Sequence, residues 1–318
     1  MRPKKVLVVY YSQTGQLTSV VKSISQAIAS ESIQVTHEAL RPRTDYPFPW
    51  PTLEFLDVFP ESVYLDPPPL KPLQVDVNAS FDLIIVGYTV WYLSPSLPIT
   101  AFLKSPEGKQ LLANKPVITV IACRNMWLMA QEKVKGLLAR AGARLLDNIA
   151  LVDAGPSLAT FITTPRWMLT GKKGGPGGML PPAGVAEEDI KRAARFGRAI
   201  KLALQQDLEQ QGQPLLKGLK AVEVNTNLIA SEKIGQRSFA MWGKLLRKIG
   251  RAGDPKRKPV LILYMIFLIV AIVTVVPLNM LIKTVLSPLT RNRLRRQKDF
   301  FERPSGSQSQ RMQEFMHD

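Results

Sequence analysis

Residues 5–11 read KVLVVYY and are followed at once by Ser12-Gln13-Thr14-Gly15-Gln16, after which an amphipathic pattern runs over residues 17–29. A continuous apolar run of strand length, a loop of small and hydroxylated residues with one glycine, and then apolar residues at helical spacing read as strand, tight loop, helix. The strand shows no polar alternation, so both its faces are expected to be buried, the pattern of a parallel sheet covered by helices. The same alternation recurs outward from this start. Residues 33–40 suit a second strand, 81–88 (FDLIIVGY) a third, 116–123 (PVITVIAC) a fourth and 144–153 a fifth, with helical patterns at 97–103, 127–141 and 185–211. Alternating buried strands and helices imply an α/β fold, with a doubly wound parallel sheet.

Two stretches fall outside that rhythm. Residues 41–80 are dense in proline and aromatics (YPFPWP, then DPPPLKP), and residues 155–184 form a long glycine-rich connection (GKKGGPGG). Both read as insertions, functional or mobile by their length. The expected organisation is therefore a domain over 1–211, a connector over 212–259, an apolar segment over 260–282 and a flexible basic tail over 283–318. The chain has 318 residues, 46% of them apolar, which excludes a disordered chain, a collagen-like repeat or a small disulfide scaffold. Cys123 is the single cysteine, so neither an internal disulfide nor a multi-cysteine metal site is available, and a reducing compartment is the natural setting. His37 and His317 stand apart from any spaced set of ligands, so no metal site is expected.

Charge and hydropathy single out the C-terminal quarter. Of the formal net charge of +17, residues 240–318 carry +10, from 15 Lys/Arg against 5 Asp/Glu. This excess flanks residues 260–282 (VLILYMIFLIVAIVTVVPLNMLI), 23 residues without a side chain charged at neutral pH. As a helix they would extend about 35 Å, enough for a bilayer core. Seven Lys/Arg precede the run within 244–258 and six follow it within 283–298, so a positive-inside argument does not choose a side. Pro277 and Asn279 interrupt it, which leaves two forms open: a single span, or a kinked segment that dips in and returns with both basic flanks on anionic headgroups. Residues 231–250 form a basic amphipathic pattern with Trp242, suited either to the headgroup layer or to an ordinary helix packed on the domain. The N-terminus lacks a signal-peptide pattern, so the expected location is the cytoplasmic face of the cytoplasmic membrane. Anionic lipid is a simpler partner for the clustered charge than nucleic acid.

Candidate chemistry lies at the carboxyl ends of the strands, where doubly wound sheets bind ligands. Residues 12–18 (SQTGQLT) can present hydroxyls and backbone N–H groups to a phosphate at a helix N-terminus, or form a plain capped turn. Residues 89–96 (TVWYLSPS) place Trp91 and Tyr92 at a strand end, with Leu93 and Ser94 beside them, and residues 124–127 (RNMW) follow Cys123 at another.

These loops resemble those of the flavodoxin-like FMN proteins, whose phosphate loop reads Thr/Ser-x-Thr-Gly-x-Thr; Ser12-Gln13-Thr14-Gly15-Gln16 matches through the fifth position, and Leu17 departs at the sixth with Thr18 one residue on. The resemblance covers roughly residues 4–211 outside the two insertions and implies a five-stranded sheet of order 2-1-3-4-5 with FMN as cofactor. It further implies that Ser12 to Thr18 meet the phosphate, and that Val90, Trp91, Tyr92, Leu93 and Ser94, then Cys123, Arg124, Asn125 and Met126, hold the isoalloxazine. Arg124 is the candidate catalytic residue, stabilising charge on the reduced flavin or on a substrate enolate, against the alternative of a solvated surface arginine. Cys123 reads more readily as a small buried residue than as a redox thiol.

A narrower resemblance rests on VVYYSQTGQLT, YPFPWP, VWYLSPSLPITAFL and VIACRNMWLMAQEKV, which are similar to bacterial flavodoxin-fold proteins labelled dialkylresorcinol condensing enzymes. That resemblance implies an aromatase, oxidising a dialkyl cyclohexanedione to a resorcinol; one cysteine and two separated histidines do not make a ketosynthase site. Three classes of function remain open from sequence. The first is a membrane-anchored FMN oxidoreductase for a lipophilic cyclic substrate, including NAD(P)H:quinone reductase and protoporphyrinogen dehydrogenase variants of the fold. The second is an electron carrier, and the third a flavin-free membrane scaffold. The composition is also compatible with a homodimer.

Overall fold

Val6, Leu7, Val8 and Val9 are all buried, which makes β1 (Lys4–Tyr10) the centre of a sheet rather than its rim. The structure, a computed structural model, describes residues 2–316 apart from 157, 158 and 179, and only the backbone at 176 and 275–290; His317, considered as a metal ligand, lies outside the described residues. The remaining strands are β2 (Ile33–Ala39), β3 (Leu83–Tyr88), the short β4 (Val90–Trp91) and β5 (Ser94–Pro95), β6 (Pro116–Cys123) and β7 (Arg144–Val152). Five of them form one sheet in the order β2-β1-β3-β6-β7, every neighbouring pair parallel, while β4 and β5 make a separate hairpin. In order of strands through the sheet this is 2-1-3-4-5, the flavodoxin-like doubly wound arrangement.

Helices cover both faces. Strands β3 and β6 are buried along their whole length. The helices of the first half are α1 (Gln16–Ile28), α2 (Thr52–Asp57), α3 (Phe59–Tyr64), α4 (Leu97–Lys104), α5 (Pro106–Leu112) and α6 (Leu128–Arg140). They are followed by α7 (Thr160–Thr170), α8 (Glu187–Arg192), α9 (Ala194–Gln205), α10 (Thr226–Ile249) and α11 (Lys258–Glu302). Helix α1 packs against α9, and α4 against α5 and α6. The first contact requires Gly197, because a Cβ there would lie 2.2 Å from the carbonyl oxygen of Ile24.

Both insertions are structured. Residues 41–80 hold α2 and α3, too short for their periodicity to show. Glu38, buried on β2, accepts the N–H groups of Gln74 (2.8 Å) and Val75 (2.7 Å), so the second half of this insertion is pinned against the outer strand. The second insertion holds α7.

The C-terminal third departs from the expected connector and flexible tail. Leu215, Leu216, Leu219 and Val222 are buried in the main core, and the N–H of Ala150 on β7 donates to the carbonyl of Ala221 at 2.9 Å. Asp147 on β7 is the staple: it accepts the N–H of Leu215 (2.6 Å) and the hydroxyl of Ser305 (2.7 Å). Burial pushes its carboxyl up to about 6. Beyond α11 the chain stays docked, with Phe301, Ser305 and Phe315 buried and the N–H of Lys220 bonded to the carbonyl of Gln308 at 2.7 Å. These residues cover the open edge of β7, and an uncovered edge is what a soluble sheet must avoid. Helix α11 runs 45 residues, and Pro255–Thr274 is long and apolar enough to cross a membrane, with 17% of it buried.

Candidate functional site

The three loops meet because their strands are neighbours in register. Tyr10 pairs with Gly87, and Tyr88 with Ile121, so the carboxyl ends of β1, β3 and β6 lie side by side. In the first loop Gly15 has φ +82 and caps α1 without any side-chain hydrogen bond; no atom lies within 4 Å of where its Cβ would be. The first-turn N–H groups of a helix have no partner within it; Ser12 meets that of Thr18, which leaves those of Gln16 and Leu17, beside Thr14 and Gly15, for an anion. Ser12 folds the loop over by accepting the N–H of Thr18 at 3.3 Å. Gln13 donates through Nε2 to the carbonyl of Pro47 at 2.7 Å, while its Oε1 is buried without a partner. Two residues of the loop point elsewhere. Gln16 turns to accept the N–H of Val185 (2.9 Å), and Leu17 is fully buried in the core between α1 and β3, so its side chain does not reach the loop surface.

The second loop is a tight hairpin. Tyr92 (φ 50) and Leu93 (φ 57) occupy its two central positions, both in the left-handed region that costs a non-glycine residue about 1–2 kcal/mol. Packing offsets that cost: Tyr92 donates its hydroxyl to the carbonyl of Phe55 at 2.6 Å, and Leu93 is buried. Trp91 is enclosed by Tyr11, Tyr46 and Trp50, with ring centroids 4.9–6.1 Å away, and retains almost no free face. Val90 is half-buried. Ser94 accepts from Lys133 Nζ at 2.7 Å, and burial lowers that ammonium to about 8. Thr89 Oγ1 and Ser96 Oγ are buried without hydrogen-bond partners.

In the third loop Arg124, Asn125 and Met126 are half-buried. Burial pushes the Cys123 thiol well above its ordinary value, so it stays protonated at neutral pH. Arg124 is held rather than solvated: Nε donates to Thr160 Oγ1 at 2.7 Å and the guanidinium lies 3.7 Å over the Phe161 ring. Burial lowers it to about 10, with Asp153 opposing, so it remains a cation at neutral pH.

Sequence reasoning missed Glu232 of α10, which accepts the N–H of Met129 at 3.0 Å and so caps α6 where the third loop ends. Burial pushes its carboxyl up to about 7. The available signal was that Met126-Trp127-Leu128 starts a helix with no capping side chain of its own.

Both insertions roof this junction. The N–H of Trp50 donates to the carbonyl of Met168 (2.8 Å), and Phe48 packs on Trp167 (6.1 Å), so the two insertions hold each other over the loops. From Trp91 a line of rings continues through Trp50, Phe55, Tyr92, Phe59, Tyr264 and Trp242 to Phe267 on α11, each centroid 4.4–5.8 Å from the next. Cavities of about 570 and 390 Å³ lie away from the loops, the first at Arg2, Lys5 and Gln34 near the amino end of β1, the second at Lys233, Arg296 and Phe300. Among the described residues no group of three His, Cys, Asp or Glu side chains suits a metal ion.

No family model and no curated protein sequence matches the chain. Among solved structures it is similar to a flavodoxin from the domain Archaea, at 13% identity over 63% of this chain and 99% of that one, with a TM-score of 0.37. It is similar also to a flavoprotein in complex with FMN from Lactobacillus acidophilus, at 18% identity over 46% of this chain and 93% of that one, TM-score 0.38. A flavone reductase shares 13% identity over 68% of each chain, TM-score 0.37. The flavodoxin-like fold of this chain is established by its own strand order and parallel register.

Proposed function

We propose that the chain is an FMN-dependent oxidoreductase acting on a lipophilic cyclic compound at the cytoplasmic face of a membrane. The observation that carries this reading is the loop junction itself: a helix start at Gly15 where Ser12 caps only the N–H of Thr18, and buried polar atoms of Gln13, Thr89 and Ser96 that lack partners within the protein. Orphaned buried polar atoms are costly and call for a ligand or ordered water. FMN suits them. Its phosphate would be held by Ser12, Thr14, Gly15 and Thr18 at the start of α1, without the side chains of Gln16 and Leu17. Its ring would be met by Val90, Asn125 and Met126, which are half-buried, whereas Trp91 and Leu93 act as the wall behind. When bound, FMN supplies two-electron chemistry that no side chain here provides.

The chain's own residues prepare the surroundings. Arg124, fixed by Thr160 and Phe161, keeps a positive charge at the third loop, suited to an enolate or another developing anion. The roof covers the loops, and its line of packed rings runs from them to the apolar helix, low-polarity surroundings suited to a compound dissolved in lipid. Cyclohexanediones on the way to resorcinols, quinones and porphyrinogens all have this character, with NAD(P)H as a candidate second partner. The test is to load the detergent-purified full chain with FMN and present each class without any protein partner. Steady-state turnover of one of them is expected. FMN bound at one per chain with no turnover of any would contradict the enzyme reading and favour an electron carrier.

A further inference from the structure

The two ends of α11 are fastened to the same body. At its start Arg257, 1% exposed, bonds Asp57 and Glu61 of α2 and α3 at 2.8–3.2 Å. Just past its end, Ser305, fully buried, bonds Asp147 of β7. Within the helix, the Tyr264 ring packs on Trp242 at 5.5 Å, and the Phe301 ring lies 5.6 Å from Lys233 Nζ. Trp242 and Lys233 are about 14 Å apart along α10, whereas the run from Tyr264 to Phe301 would advance about 56 Å as a straight helix. A straight helix cannot make both contacts. Helix α11 therefore bends sharply between them and returns to the body it left.

The stretch that bends away is apolar and uncovered: Leu263, Ile266, Ile269, Val270 and Val273 are exposed, as is Met241 on the neighbouring α10. The flanks are cationic on both sides. Lys244, Lys248 and Lys258 before it, and Arg291, Arg293 and Arg295 after it, are all exposed. A single span would separate these two groups by about 30 Å of hydrocarbon, which docking of both ends on one domain forbids.

We infer that α11 is a re-entrant anchor: it enters one leaflet of an anionic bilayer and leaves by the same face, with both basic flanks on the headgroups and the C-terminal residues still docked on β7. This rests on the membrane reading of the proposed function and adds its topology. Phosphate-bearing anionic lipid satisfies cations on both flanks at once, and the exposed apolar stretch is satisfied by acyl chains.

The test uses the full chain bound to vesicles of phosphatidylglycerol and phosphatidylcholine, with phosphatidylcholine alone as control, and three variants: Ala252→Cys, Val270→Cys and Ser309→Cys. The wild type, whose Cys123 is buried, serves as the blank. Flotation with the anionic vesicles and weaker flotation with the neutral ones are expected. A membrane-impermeant maleimide added outside should label Ala252→Cys and Ser309→Cys to the same extent without detergent, and Val270→Cys only after detergent. Protection of Ser309→Cys until detergent is added would mean a single span and overturn the inference while leaving membrane association intact. Free labelling of Val270→Cys on floated protein would overturn it too, since the stretch would then lie outside the lipid. Failure to float, with the chain forming a soluble dimer through α11, would overturn the membrane reading along with it.

Discussion

At the scale of single residues, the loop after β1 shows how much two neighbouring side chains can differ in meaning. Gly15 is required by its backbone, since φ +82 is the left-handed region, yet space for a Cβ exists. Gly15→Ala should therefore cost only about 1 kcal/mol of backbone strain, lowering the melting temperature by about 2–4 °C, while FMN affinity falls at least about tenfold through misdirected N–H groups at the helix start. Calorimetric melting and a flavin titration separate the two effects; unchanged affinity would remove Gly15 from the phosphate site. Leu17 sits two positions on, and its apolar side chain at helical spacing already belonged to the core face; a match by motif position alone assigned it to the ligand. Glu232 carries a pH prediction. Its carboxyl is held at about 7 against an ordinary 4.5, so the folded chain keeps a proton that the unfolded chain has released. The stability from this group is complete below about pH 4.5 and is lost as pH rises through about 7. The gap corresponds to roughly 3 kcal/mol at most. Asp147, held up to about 6, adds the same sign at lower pH. Glu232→Gln keeps a neutral acceptor for Met129, so its unfolding midpoint should fall less than the wild type's between pH 5 and pH 8; equal pH dependence in the two proteins would contradict the assignment.

At the scale of elements, what was legible depended on length and periodicity. Strands such as PVITVIAC and helices such as residues 16–28 carry their own signal, because a buried parallel strand needs an unbroken apolar run and a covering helix an apolar stripe. The six-residue helices α2 and α3, the hairpin at Tyr92-Leu93 and the docked C-terminal residues carry none, since each is held by contacts distant in sequence. Arg257 is the plainest case: in sequence it is one of seven cations before an apolar run, and in the structure it is buried against two carboxylates from the first insertion. Replacing it leaves Asp57 without its cation and Glu61 with Arg247 alone, at 3.9 Å, and removing one member of a buried ion pair costs about 3 kcal/mol. Arg257→Met should show that loss in detergent-solubilised thermal unfolding, together with faster proteolysis between α10 and α11. A variant as resistant as the wild type would mean that the start of α11 is rooted by the buried Leu261 and Tyr264 instead.

At the scale of the whole molecule, the insertions and the C-terminal helices turn a doubly wound domain into one body with an apolar appendage. The first insertion is common to both parts: Trp50 stands over the loops, while Phe59 stacks on Tyr264 of α11 at 4.4 Å. That continuity is why a lipid-soluble substrate is the economical reading. The sheet order and the three loops could be anticipated from the chain; the mutual fastening of both insertions, α10 and the C-terminal residues could not, because no local pattern encodes it. The central claim is that the three loops hold FMN. Its most direct measurement is the visible absorption spectrum of the full chain purified in detergent, before and after adding FMN and removing the excess, with the released cofactor identified by mass. The account predicts a flavin band and FMN at one per chain. A colourless protein that takes up no FMN would contradict it.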